Sequence, residues 1–66
     1  MQNKPVLIEA AMGTRGRYRV VETIPDEKMP LGTTWLYDYK RRYFDQGFAR
    51  VRISVWIPWR SEYSRW

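Results

Sequence analysis

Residues 35–57, WLYDYKRRYFDQGFARVRISVWI, contain the choice on which the fold turns. The second half is the plainer part. Ala49, Val51, Ile53, Val55 and Ile57 alternate with Arg50, Arg52, Ser54 and Trp56. A period of two kept up from 49 to 57 predicts a strand, here with one apolar face and one basic face. Asp45-Gln46-Gly47 just ahead of it is a compact turn signal, because glycine takes positive φ without a steric cost.

Segment 33–47 admits two readings. As a helix it has Thr33 or Thr34 for an N-cap and Gly47 at C′. Trp35, Leu36, Tyr39 and Tyr43 then share a face opposite Asp38, Arg41, Arg42 and Asp45. As a strand, 35–44 hairpins onto 48–57 through a three-residue loop, with Phe44 facing Phe48. Counting outward, Tyr43, Arg41, Tyr39, Tyr37 and Trp35 meet Ala49, Val51, Ile53, Val55 and Ile57, so aromatic and aliphatic positions fall on one side. A register slip of one residue would set the two faces in conflict. Composition favours the strand, since Trp, Tyr and Phe suit pleated surfaces better than helices. Against it, Arg42 faces Arg50 and Lys40 faces Arg52, and like charges disfavour a cross-strand pair. The strand reading, preferred here, gives a small four-stranded antiparallel sheet in meander or small-barrel order. A helix over 34–46 gives an α+β fold of the form ββαβ.

Working outward, Pro5 to Ala11 reads as a first strand, with proline where a missing N–H does least harm. Gly13-Thr14-Arg15-Gly16 is a turn. Arg17 to Ile24 is a second strand, with Tyr18, Val20 and Ile24 on one side and Arg17, Arg19 and Thr23 on the other, and the two strands form a hairpin. Pro25 to Gly32 has two prolines, a charged triplet and no period, so it is a connector, with Met29 and Leu31 as its candidate contact points. Pro58 ends the last strand, and the residues after it mix tryptophan and arginine without a clear period. The whole of 1–66 is expected to be one small domain, with 1–3 and 60–66 as loose tails.

At 66 residues the chain is near the lower limit for independent folding. A chain this short buries only about 60% of the surface its unfolded form exposes. With no cysteine and no histidine it has no disulfide, no thiolate zinc site and no neutral imidazole ligand. A dense aromatic core or self-association is what remains, and a homodimer is one expected state. The absence of cysteine agrees with a reducing cytosol, no signal peptide or apolar span is visible, and a cytoplasmic protein with no membrane partner is expected.

Catalysis has little to work with. Without Cys or His the common nucleophile–base pairs are unavailable, and no two of the seven carboxylates make an acid/base pair by spacing. Asp26 and Glu27 are adjacent, but a magnesium site needs several convergent oxygens. Gly13–Gly16 lacks the spacing of a phosphate-cradling loop. No enzyme, no cofactor and no metal are expected.

Charge and rings point to binding instead. Residues 1–39 are electrically balanced, whereas residues 40–66 carry seven cations against Asp45 and Glu62, which accounts for the whole net charge of +5. Ten of the eleven aromatics lie at or after Trp35. In the hairpin reading Lys40, Arg42, Arg50 and Arg52, edged by Phe44, Phe48 and Trp56, form one nucleic-acid-binding face. Its cations would pair with phosphates and its rings would stack on bases, which favours single-stranded DNA or RNA. The bland reading of that face is arginine stems lying over apolar surface. Trp59, Arg60, Tyr63 and Trp66 are candidate partner-binding residues, since Trp, Tyr and Arg anchor protein interfaces, although they could equally pack back on the sheet. The expected function is a small non-enzymatic, nucleic-acid-binding regulatory protein. The alternative is an inhibitor or accessory module that docks on a larger protein. A helix at 34–46 would divide the basic face between two elements and move the docking reading ahead.

Overall fold

The computed structural model describes residues 4–66, so the expected loose end at 1–3 lies outside the described residues. Strands β1 (Val6–Ala11) and β2 (Arg19–Ile24) form the expected hairpin, a single 3₁₀ turn occupies Asp26–Lys28, helix α1 spans Thr34–Asp45, and β3 (Arg50–Ile57) and β4 (Glu62–Arg65) complete the chain. The result is an antiparallel four-stranded sheet with one helix, an α+β fold.

The helix alternative for 34–46 is the one observed, and two preferred readings are corrected. Segment 35–44 is helical rather than a strand, and the sheet order is β2-β1-β3-β4 rather than a meander. Both have one cause. Since β2 and β3 each run antiparallel to β1, on its two sides, the chain between them must cross the sheet. A helix makes that crossing while burying its own apolar face. Trp35 and Tyr43 are buried, with Leu36 and Tyr39 packed beside them, against Val6, Ile8, Ala10, Val51 and Ile53 of the sheet. A hairpin would have left that sheet face uncovered and set Arg42 and Lys40 against Arg50 and Arg52. Strand propensity lost to the need to cover the core.

The ends of α1 show how the choice is held. Gly47, at φ 104°, sits just past the helix, where its N–H bonds the Phe44 carbonyl at 3.0 Å and the Phe48 N–H reaches back to the Tyr43 carbonyl at 3.2 Å. This pair of bonds is a Schellman motif, and the edge-to-face contact of Tyr43 with Phe48 (centroids 5.8 Å apart) is the apolar contact that accompanies it. At the other end Thr33 holds the N-cap position without a side-chain hydrogen bond, and the Trp35 indole N–H donates instead to the Gly32 carbonyl at 2.9 Å.

The alternation expected of β3 holds. Val51 and Ile53 are buried under the helix, and Arg50, Arg52, Ser54 and Trp56 lie on the other face. In β2 a bulge opposite Ile8 and Glu9 shifts the register, so that Ile24 pairs with Val6 on the helix side while Val20 pairs with Glu9 on the open side. The single apolar side expected for Tyr18, Val20 and Ile24 is therefore divided, because the extra residue turns Val21 into the core and leaves Val20 exposed. Residues 62–65, expected to be loose, pair with Ser54–Ile57 as β4.

Candidate interaction surfaces

The seven residues expected to form one nucleic-acid face are separated by the sheet. Arg50, Arg52 and Trp56 lie on the face opposite α1. Lys40, Arg42 and Phe44 are on the helix, and Phe48 is half-buried in the Schellman contact.

On the open face, β3 brings its basic side over β1. Arg52 forks onto Glu9, with Nε to Oε1 at 3.2 Å and Nη2 to Oε2 at 3.1 Å, and the Ser54 hydroxyl donates to the same carboxylate at 2.8 Å. Burial alone would raise the Glu9 carboxyl. The hydrogen bonds from Arg52 and Ser54, with the charges of Arg52 and Arg65, outweigh it and hold the group below its ordinary value of 4.5. Arg50 donates from Nε to the Gly13 carbonyl at 3.3 Å and from Nη2 to the Gly16 carbonyl, which fastens the β1–β2 turn to β3. Both guanidinium groups lie over the Tyr18 ring, Arg52 at 4.0 Å and Arg50 at 4.8 Å from its centroid. Lys4 lies over Trp56 at 4.3 Å, and Trp56 meets Tyr63 edge-to-face at 5.1 Å. The Tyr63 hydroxyl donates to the Pro5 carbonyl at 3.0 Å.

The rings of this face are thus already occupied by the protein's own cations and by each other, and Arg50 and Arg52 spend donors on the fold. Tyr18 and Glu9 were not among the residues expected here. The signal that could have found Glu9 is an acidic residue central in an apolar first strand, which demands a cationic partner across the sheet.

The outer face of α1 is different. Tyr37, Lys40, Arg41 and Phe44 recur at i, i+3, i+4 and i+7 on the side away from the sheet, where they line a shallow, open groove of about 250 Å³. Tyr37 is 70% exposed and Phe44 46%. Among the described residues Lys40 and Arg41 make no ion pair. Arg42 lies over the Tyr39 ring at 4.7 Å, to the side of this stripe. Of the four, Lys40 and Phe44 were expected in a site, whereas Tyr37 and Arg41 were missed because the strand reading turned them towards the core.

The residues expected to bind a partner do not form one patch. Trp59 stands in the β3–β4 turn, 77% exposed, and Arg60 pairs with Glu62 at 3.1 Å. Tyr63 packs on the open face, while Trp66 exchanges backbone hydrogen bonds with Ile53 at the sheet edge. Topology puts Trp59 at the same end of the sheet as the exposed Met29 and Leu31, because β1 begins there and β2 and β3 end there. Among the described residues no group of acidic side chains converges as a metal site would, and no helix is long and apolar enough to cross a membrane. In comparisons with known proteins, no family model, curated protein or solved structure matches the chain.

Proposed function

We propose that this protein is a non-enzymatic docking module that engages an acidic surface of a larger protein through the outer face of α1, as an inhibitor or accessory subunit. The observation that carries it is the exposed stripe of Tyr37, Lys40, Arg41 and Phe44 on a helix whose other face is fully used in the core. A short helix needs one apolar face to be held on a sheet, not two. Tyr37 and Phe44 beside Arg41 have the composition of an interface centre, with Lys40 suited to its polar rim, and together they complement an apolar site edged by carboxylates. A cytoplasmic setting, proposed on the lack of cysteine, would suit such a module.

The test is affinity capture with nuclease present and at physiological salt, comparing the wild-type protein with the double variant Tyr37→Ser/Phe44→Ser. The expected result is a protein ligand retained by the wild type and weakened roughly ten-fold or more by the double variant, the range for interface anchors. Because both rings are exposed, the variant should keep its Tm. Retention that disappears with nuclease would refute the reading and favour nucleic acid. A doubled mass in solution that the double variant abolishes would make the occupant a second copy of the chain.

A further inference from the structure

The open face of the sheet carries a second chemistry, independent of α1. Its described cations are Lys4, Arg50, Arg52 and Arg65, and Glu9 is the carboxylate set among them. Arg65 belongs to this face because it pairs with Ser54, whose hydroxyl points at Glu9 from the same side. The three arginines form a bent row. Arg50 and Arg52 are two residues apart on β3, about 6.7 Å along the strand, and Arg65 stands opposite Ser54 on β4, two residues further along and one strand across, about 8 Å from Arg52.

Two members of that row are held in place before any ligand arrives. Arg50 is tied to the Gly13 and Gly16 carbonyls and Arg52 to Glu9, and both are stacked on Tyr18. A guanidinium has five N–H donors, and each of these commits two in those bonds, which leaves donors for a ligand. Fixing the forks in advance lowers the ordering cost of binding.

We infer that this arginine row is a track for the phosphodiester backbone of single-stranded nucleic acid, read without base stacking. A row of fixed cations at a strand's spacing fits a chain of evenly spaced anions better than it fits a lone ion. The rings that would stack on bases are taken, Tyr18 by the two guanidiniums and Trp56 by Lys4 and Tyr63. Recognition is therefore of backbone, not sequence.

The test measures binding of three 12-unit probes by fluorescence anisotropy, namely oligo-dT, the same backbone with every base removed, and poly-glutamate. Abasic and dT probes should bind within about three-fold of each other, since stacking is the interaction this face gives up. For three arginine contacts on a single strand, affinity should fall roughly 20-fold between 50 and 200 mM salt. Arg65→Gln, an exposed substitution outside the ion pairs of the fold, should lower the log–log salt slope by about 0.7, while Lys40→Gln/Arg41→Gln should leave it unchanged. The inference is overturned if the abasic probe fails to bind at 20 mM salt or if dT binds more than ten-fold tighter than it. Equal binding of poly-glutamate, or a slope that depends on Lys40 and Arg41 and not on Arg65, also overturns it. Because none of these readouts involves a protein partner, the docking proposal stands or falls separately.

Discussion

The Tyr43 hydroxyl joins helix to sheet edge through one contact, a 2.5 Å hydrogen bond to the Glu22 carboxylate. Burial of the phenol, then the hydrogen bond and charge of Glu22, push its pKa from 10.0 up to about 12. A phenol whose folded pKa lies above its unfolded value adds stability that is complete below pH 10 and is lost as pH rises towards 12. Thermal unfolding followed between pH 9 and 12 should therefore show Tm falling steeply above pH 10. Tyr43→Phe should flatten part of that fall and cost about 1 kcal/mol at neutral pH, the penalty of a half-buried carboxylate that loses its donor. A fall of the same steepness in the variant would show that the contact does not form. Glu9 works in the opposite direction. With its pKa depressed, it adds stability that is present above pH 4.5 and lost as pH drops through the folded value. Glu9→Gln should make Tm less dependent on pH between 3 and 5, and should leave Arg52 with a weaker acceptor.

At the scale of the element, α1 depends on its C-terminal lock more than on propensity. Three of its twelve residues are tyrosine, one is tryptophan and one phenylalanine, all mediocre helix formers. What holds it is the buried Trp35–Tyr39–Tyr43 face and the turn at Gly47. A Cβ at Gly47 would meet no atom within 4 Å, so Gly47→Ala tests backbone strain alone. It should cost about 1–2 kcal/mol by chemical denaturation, the expense of an L-residue held at positive φ. Phe48→Ala should cost about as much or more by removing the ring that packs on Tyr43. If both are silent, the lock is not what ends the helix. This element also shows where the sequence was readable and where it was not. The period of β3 was legible because strand alternation is local, and the turn at 45–47 was legible because glycine marks it. Segment 35–44 was not, because its rings fit a strand by propensity and a helix by spacing. The deciding fact, that β2 and β3 flank β1 and need a crossover, is a property of the sheet. The same ambiguity hid half of the helix stripe: Tyr37 and Arg41 look inward in a strand and outward in a helix. Arg50, Arg52 and Trp56 kept their expected common face because β3 kept its expected form.

At the scale of the molecule, the charge arrangement sets a balance that salt can measure. The described residues form two ion pairs, Arg52–Glu9, which is part-buried, and Arg60–Glu62, which is exposed. The exposed pair contributes at most about 1 kcal/mol. Against them stands a net charge of +5 on 66 residues, with the excess concentrated in the last 27. Lys40, Arg41 and Arg42 are consecutive on α1, while Arg50, Arg52 and Arg65 line the opposite face of the sheet. A Debye length of about 10 Å at 0.1 M salt screens repulsion between such exposed groups, while the part-buried Arg52–Glu9 fork is screened much less. Repulsion should therefore dominate the response, and raising sodium chloride from 10 to 200 mM should raise Tm by a few degrees, since about 1 kcal/mol moves a domain of this size by roughly 4–8 °C. Removing charge from the helix face should have the same sign. Lys40→Gln/Arg41→Gln should raise Tm at low salt and reduce its salt dependence, whereas Arg65→Gln should change Tm less, because the charge of Arg65 also favours the ionised Glu9. Such a gain would mean that the helix face is kept basic at the expense of the fold, as a surface retained for an anionic partner would be. A Tm that falls with added salt would reverse that conclusion and assign the arginines to holding the sheet together.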